Sequence, residues 1–252
     1  MKRSGAAVAA AAAICLAVLA GTGRDALAGH PFGTEDAGTQ GKGNVEVEFN
    51  LERRNGSDGS RTTSLGNGIT MGVAPKVDLA VGYSYDFAKD PAGVRTRGMG
   101  DVEAQLKTSF NEGDGRVPTL GIKGGVSLPA EKGGQTAILA TVIAEWAFEP
   151  FTVFANAGAD IGTHLAGNDE RETLYRASVA GAWEIRESLN LVSELLWEKP
   201  SSAGASVELL AGLQRGITDA LTVDAGVRWG IDSDAPDVTY LLGFTLAFQG
   251  TR

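Results

Sequence analysis

Alternation of apolar and polar side chains, repeated in segment after segment from residue 44 to residue 248, restricts this chain more than any other feature. In residues 99–110, Val102, Ala104, Leu106 and Phe110 fall on one face, while Asp101, Glu103, Gln105, Lys107 and Ser109 fall on the other. That is the two-residue period of a strand with one apolar and one polar face. The polar run 111–116 reverses the chain, and Leu120, Ile122, Val126 and Leu128 then alternate with Thr119, Gly121, Lys123, Gly125 and Ser127. The same unit recurs on both sides, predicting strands at 44–53, 62–73, 77–87, 99–110, 119–128, 137–148, 151–161, 173–185, 189–197, 206–215, 221–230 and 238–248. Residues 206–215 are the least regular, because Leu209 and Leu210 are both apolar. No stretch sustains the i, i+3, i+4, i+7 spacing of a surface helix. Helical alternatives are confined to 142–147 and 187–196.

A strand with one apolar face fits a soluble sandwich or barrel with that face inward, or a membrane barrel with it outward. Three features favour the membrane. The segments are long, against a usual soluble length of about five or six residues and a tilted membrane span of about nine to eleven. Aromatic residues gather near strand ends: Phe110, Trp146, Phe148, Trp183 and Phe248 toward one end, and Tyr85, Phe87, Trp197 and Trp229 toward the other. Two such girdles suit the headgroup layers. The polar face mixes glycines (Gly66, Gly68, Gly72, Gly82, Gly121, Gly125, Gly158, Gly226, Gly243) with charges, and on a solvated surface those glycines would weaken the strands for no return. Connection lengths also alternate between long and short, as they do at the two ends of an outer-membrane barrel. The expected fold is therefore all-β: an antiparallel up-and-down transmembrane barrel of about twelve strands. Val227→Arg should then impair assembly, and Thr222→Arg, on the opposite face, should be tolerated.

Ahead of the strands, Lys2 and Arg3 precede an apolar run from Ala6 to Ala20, and Ala26-Leu27-Ala28 forms a small-x-small site before Gly29. This is the layout of a secretory signal peptide over residues 1–28. Residues 29–43 form an irregular arm that either hangs free or folds back into the barrel as a plug. The barrel covers 44–248, with 249–252 as a tail. Losing Lys2, Arg3 and Arg24 against Asp25 takes the net charge from −9 to −11, which is unsuited to nucleic acid. The lone cysteine, Cys15, leaves with the leader, so neither disulfides nor thiolate chemistry is expected in the mature chain.

Of the two histidines, His30 is read as an ordinary residue of the new N-terminus and His164 as a loop residue. No strand carries a histidine to act as base for a serine nucleophile, so no catalytic residue is expected. Glu145, Glu184 and Glu194 read as a structural network inside the barrel rather than an acid–base set. Asp232, Asp234 and Asp237 read as a solvated loop rather than a calcium site. Neither a metal nor a cofactor is expected. The charged residues assigned to the lumen are Glu46, Glu48, Glu103, Lys107, Lys123, Glu145, Arg176, Glu184, Glu194 and Arg228.

Pro31-Phe32-Gly33-Thr34-Glu35-Asp36-Ala37-Gly38-Thr39, followed by Gly41-Lys42-Gly43 and an acidic alternating strand, resembles the outer-membrane transporter family of the phenol meta-cleavage degradation pathway. Gly100-Asp101-Val102 and Ser127-Leu128-Pro129 are similar as well. The resemblance implies passage of a small solute, hydrophobic and aromatic compounds included, across the outer membrane of a Gram-negative bacterium. It supplies no catalytic or ligand-binding residue. Expected partners are outer-membrane lipid and lipopolysaccharide, the barrel-assembly machinery and a small-molecule solute. Two competing readings stay open: a closed structural or adhesive barrel with a packed polar interior, and a soluble periplasmic β-protein holding an apolar ligand inside.

Overall fold

The computed structural model describes residues 29–130, 134–163 and 172–250. The expected leader with Cys15, and His164, fall outside them. Twelve strands follow one another: β1 (Val45–Asn55), β2 (Arg61–Ala74), β3 (Val77–Lys89), β4 (Arg95–Ser109), β5 (Thr119–Leu128), β6 (Thr136–Phe148), β7 (Phe151–Thr163), β8 (Thr173–Arg186), β9 (Leu189–Pro200), β10 (Ser206–Thr218), β11 (Leu221–Gly230) and β12 (Val238–Phe248). Each is antiparallel to its sequence neighbours. β1 also pairs with β12 from Val45↔Phe248 to Asn55↔Val238, which closes the sheet. Closure leaves no unpaired strand edge, the condition for crossing hydrocarbon with strands.

The apolar face points outward. Ile69, Leu106, Val142 and Val179 are 53%, 54%, 57% and 55% exposed, whereas inward Asp224, Thr239 and Glu194 are at most 2% exposed. A contiguous apolar belt of this kind needs lipid around it. Aromatic pairs reinforce both ends of the belt: the Phe151 and Trp183 rings stack at 5.6 Å, and Tyr85 meets Phe87 edge-on at 5.2 Å. Four of the five turns at the end where the chain enters β1 are two residues long, such as Pro75-Lys76 between β2 and β3. The turn between β4 and β5, residues 110–118, is longer and is held by Asp114, which accepts the amide hydrogens of Arg116 and Val117 at 3.0 and 2.9 Å.

Neither candidate helical stretch is helix: 142–147 lies within β6, and 187–196 is the two-residue β8–β9 turn followed by β9. β4 starts four residues earlier than its alternation predicts. Arg95, Thr96 and Arg97 pair with Lys89, Ala88 and Phe87 in a hairpin whose residues 95–97 are all exposed, so no buried face imposes a period there. A register shift between Tyr83 and Tyr85 then brings Met99 and Val102 to the same outer face. Leu209 and Leu210 resolve into an outward residue, 45% exposed, and an inward one, 1% exposed.

Candidate functional site

The lumen is crossed by residues 29–44, which touch the wall strand by strand. His30 Nδ1 is bonded to Asp224 of β11, and its carbonyl oxygen accepts from Gln214 of β10 at 2.9 Å. Thr34 donates its amide hydrogen to Glu194 of β9 at 2.7 Å and its hydroxyl lies 2.6 Å from the same carboxylate and 2.7 Å from Ser178 of β8. The Glu35 amide donates to Asn156 of β7 at 2.6 Å, and Asn156 donates back to the Glu35 carbonyl at 3.0 Å. The Ala37 amide donates to Glu145 of β6 at 2.9 Å, and the Gln40 amide to both carboxylate oxygens of Asp78 of β3 at 3.1 and 3.0 Å. Gly43 then bonds Gly72 of β2 before the chain enters β1.

Except for Ser178, the wall residues bonded to the arm lie within about five residues of the strand ends nearest the chain termini. The arm therefore occupies that half of the barrel. Lumen glycines give it room. A Cβ at Gly72 would overlap the Gly41 carbonyl, and one at Gly243 would overlap both His30 and Asp224. These glycines make a bed for the arm, a role that alternation alone does not reveal.

Charge explains the arm's course. Lys107 and Lys123 are direct partners across β4 and β5, a like-charge pair on one face that destabilises unless an anion intervenes. The arm supplies two consecutive carboxylates: Asp36 lies 3.0 Å from Lys107 and Glu35 2.5 Å from Lys123. Burial alone would raise the Glu35 carboxyl, but Lys123 and Lys107 outweigh it and hold the group below the usual carboxylate range. Farther round, Arg228 Nη2 lies 3.2 Å from Glu194, with both side chains at most 5% exposed.

The two sides of the lumen differ. Against β7–β12, Phe32 packs on an apolar cluster of Phe154, Ala180, Ala182, Val192, Leu210 and Leu241, its ring 5.7 Å from Phe154. Toward β1–β5 the arm leaves a cavity of about 350 Å³ whose charged lining includes Glu46, Glu48, Asp78, Glu103, Lys107 and Lys123. A second, of about 150 Å³, lies among Glu103, Lys123, Asn156, Asp160 and Arg176.

Nine of the ten charged residues assigned to the lumen thus line a cavity, bond the arm or form the Glu194–Arg228 pair. Arg176 is paired with Asp160 and, at 2.9 Å, with Glu198. Glu184 departs from the set: its parity is inward, but it is exposed beside the β8–β9 turn, where the register shifts between Glu184 and Arg186. Glu145, Glu184 and Glu194 therefore have separate surroundings. His30 is no ordinary terminal residue, since the fold buries it to 7% exposure against Asp224. Thr222 faces inward but is only 2% exposed, so an arginine would not fit there. Asp232 caps its own turn, accepting from the amides of Asp234 and Ala235. Among the described residues, no group of three or more His, Cys, Asp or Glu side chains is placed to hold a metal ion.

Inward residues missed by sequence reasoning are mainly apolar: Phe154, Val192, Leu210 and Leu241. Their parity was available, but their partner, Phe32, sits in a segment with no period.

Solved outer-membrane barrels share this fold. An outer membrane channel from Pseudomonas putida F1 aligns over 86% of this chain and 99% of its own, with a TM-score of 0.61 and 11% identity. The NanC porin aligns over 79% of this chain and 98% of its own, with a TM-score of 0.59 and 13% identity. For the KdgM porin the shares are 81% and 99%, with a TM-score of 0.58 and 10% identity. At such identities the likeness establishes the fold, a twelve-stranded barrel of the outer-membrane channel type. No curated protein sequence matches the chain. The family described as "Putative MetA-pathway of phenol degradation" matches residues 28–248, and the chain belongs to that family.

Proposed function

We propose that this outer-membrane barrel is a passive channel for small solutes, with residues 29–43 as a plug that restricts it from inside. One observation carries the reading: the arm crosses the lumen yet leaves polar cavities of about 350 and 150 Å³ beside it, where a purely structural barrel would be packed throughout. The wall selects by charge and hydrogen bonding rather than by reaction. Polar wall groups and a cavity of this size suit a small solute bearing polar substituents on a compact frame, and the family description points to aromatic compounds. Lipid forms the barrel's surroundings, and the solute is its transient partner.

The packed side against β7–β12 favours a second reading, a closed structural barrel. Planar-bilayer conductance and liposome flux, measured with the whole chain and with a chain lacking residues 30–42, separate the two. A channel gives measurable flux of small aromatic and aliphatic solutes that rises when the arm is removed. Absence of conductance and flux from both chains would leave the closed barrel.

A further inference from the structure

The first two residues of the arm lie at the seam where the barrel closes. His30 is held by Asp224 of β11 and Gln214 of β10, and Gly243 of β12 lacks the Cβ that would collide with His30 and Asp224. One residue earlier, a Cβ built on Gly29 would stand 3.7 Å from Glu48 Oε1 of β1. The dipeptide therefore reaches β10, β11, β12 and β1, and the β12–β1 pairing is the one that closes the sheet. Glu48 has no hydrogen-bonded or ion-paired side chain among the described residues, and its charged neighbours are Glu46, Glu35, His30, Lys123 and Asp224. Counting Glu48 itself, four of these six groups are carboxylates beside two bases, one of which, Lys123, is already paired with Glu35.

We propose that cleavage between Ala28 and Gly29 creates an ammonium group that pairs with Glu48 and, together with His30 and Asp224, clasps the first strand of the barrel to the last three. Hydrolysis by a leader-removing protease adds hydroxyl to the Ala28 carbonyl carbon and hydrogen to the Gly29 nitrogen. An uncharged amide thereby becomes an amine that is protonated at neutral pH. Processing thus supplies the cation that this part of the wall lacks. The clasp is independent of whether the channel conducts.

An α-amino group ordinarily titrates near 7.7–8.0, and a carboxylate partner raises that value. The contribution to stability is therefore complete below about pH 7.7 and is lost as pH rises through the raised value. The acetylated chain carries the same side chains and lacks only the amine, so a pH-dependent difference between the free and acetylated chains from about pH 8 to 10 isolates the amine.

Intact mass of the native outer-membrane protein should show a chain starting at Gly29; a start elsewhere overturns the proposal. Three refolded chains are then compared: one starting at Gly29, the same chain acetylated on its α-amino group, and Glu48→Gln. The temperature at which the folded gel band converts to the unfolded one is followed from pH 7 to pH 10. The free-amine chain should begin about 2–4 °C above the other two and fall to meet them as pH rises. Parallel profiles for the free and acetylated chains overturn the proposal, and this comparison stands even where Glu48→Gln fails to refold.

Discussion

Replacing the two arm carboxylates, Glu35→Gln with Asp36→Asn, should release the plug. Each makes a charge-assisted bond to a lumen lysine, at 2.5 Å to Lys123 and 3.0 Å to Lys107, and all four side chains are between 14% and 34% exposed. Such bonds are worth about 1.5–3 kcal/mol when one partner is removed, and partial exposure places these in the lower half of that range. The two sites are adjacent in sequence and face lysines that are direct cross-strand partners, so their effects couple and do not simply add. A combined loss of about 3 kcal/mol follows, and at about 1.4 kcal/mol per tenfold it raises the ratio of displaced to docked arm by roughly 100-fold. Two assays read that ratio. Proteolysis of the arm in the folded barrel, where cleavage follows the displaced population, should accelerate by the same order, and larger openings should become frequent in planar bilayers. Unchanged proteolysis together with unchanged conductance would refute the role given to the lysine pair.

Four further outcomes are expected. Val142→Arg, on the lipid face at 57% exposure, should cost about 2–4 kcal/mol and reduce the heat-modifiable band, whereas Thr70→Arg, facing the larger cavity beside Glu46, should assemble normally. Gly243→Val should displace His30 and expose the arm to protease without abolishing the barrel, which gel mobility and proteolysis report separately. Phe32→Ala removes the ring packed on Phe154 and should loosen the arm by about 3 kcal/mol, read as faster arm proteolysis. Because Glu35 is held below the ordinary carboxylate range, its contribution is present above about pH 4.3 and is lost only as pH falls through its lower folded value. Arm protection should therefore persist from pH 7 to about pH 4, and Lys123→Met should move the loss to higher pH.

The barrel was legible because lipid imposes one rule on every spanning strand. Val45, Val47, Phe49 and Leu51 of β1 and Tyr240, Leu242, Phe244 and Leu246 of β12 must all face hydrocarbon, so a period of two survives even where glycine interrupts it. Where that rule lapses, legibility lapses too. Arg95–Arg97 extend beyond the belt with no buried face, and Glu184 keeps inward parity at a rim where parity no longer decides burial. The wall charges could be assigned from alternation, but their partners could not. Lys107 and Lys123 read as ordinary polar-face residues until the register set them opposite one another and Asp36 and Glu35 came between. The arm obeys no period, since its backbone bonds to wall side chains rather than to a neighbouring strand. Only the three-dimensional path shows that Gly72 and Gly243 are glycines on its account.

A disulfide between arm and wall gives the most direct measurement of the plug. Thr34 Oγ1 and Ser178 Oγ are 2.7 Å apart, and residues 29–252 contain no cysteine of their own. Thr34→Cys with Ser178→Cys therefore places the sole thiol pair of residues 29–252 at the point where the arm crosses β8. Oxidation of the folded barrel should form the crosslink in high yield and abolish the larger openings in planar bilayers, and reductant should restore them. A folded barrel that does not crosslink, or whose conductance is the same oxidised and reduced, would contradict an arm that sits in the lumen and controls passage.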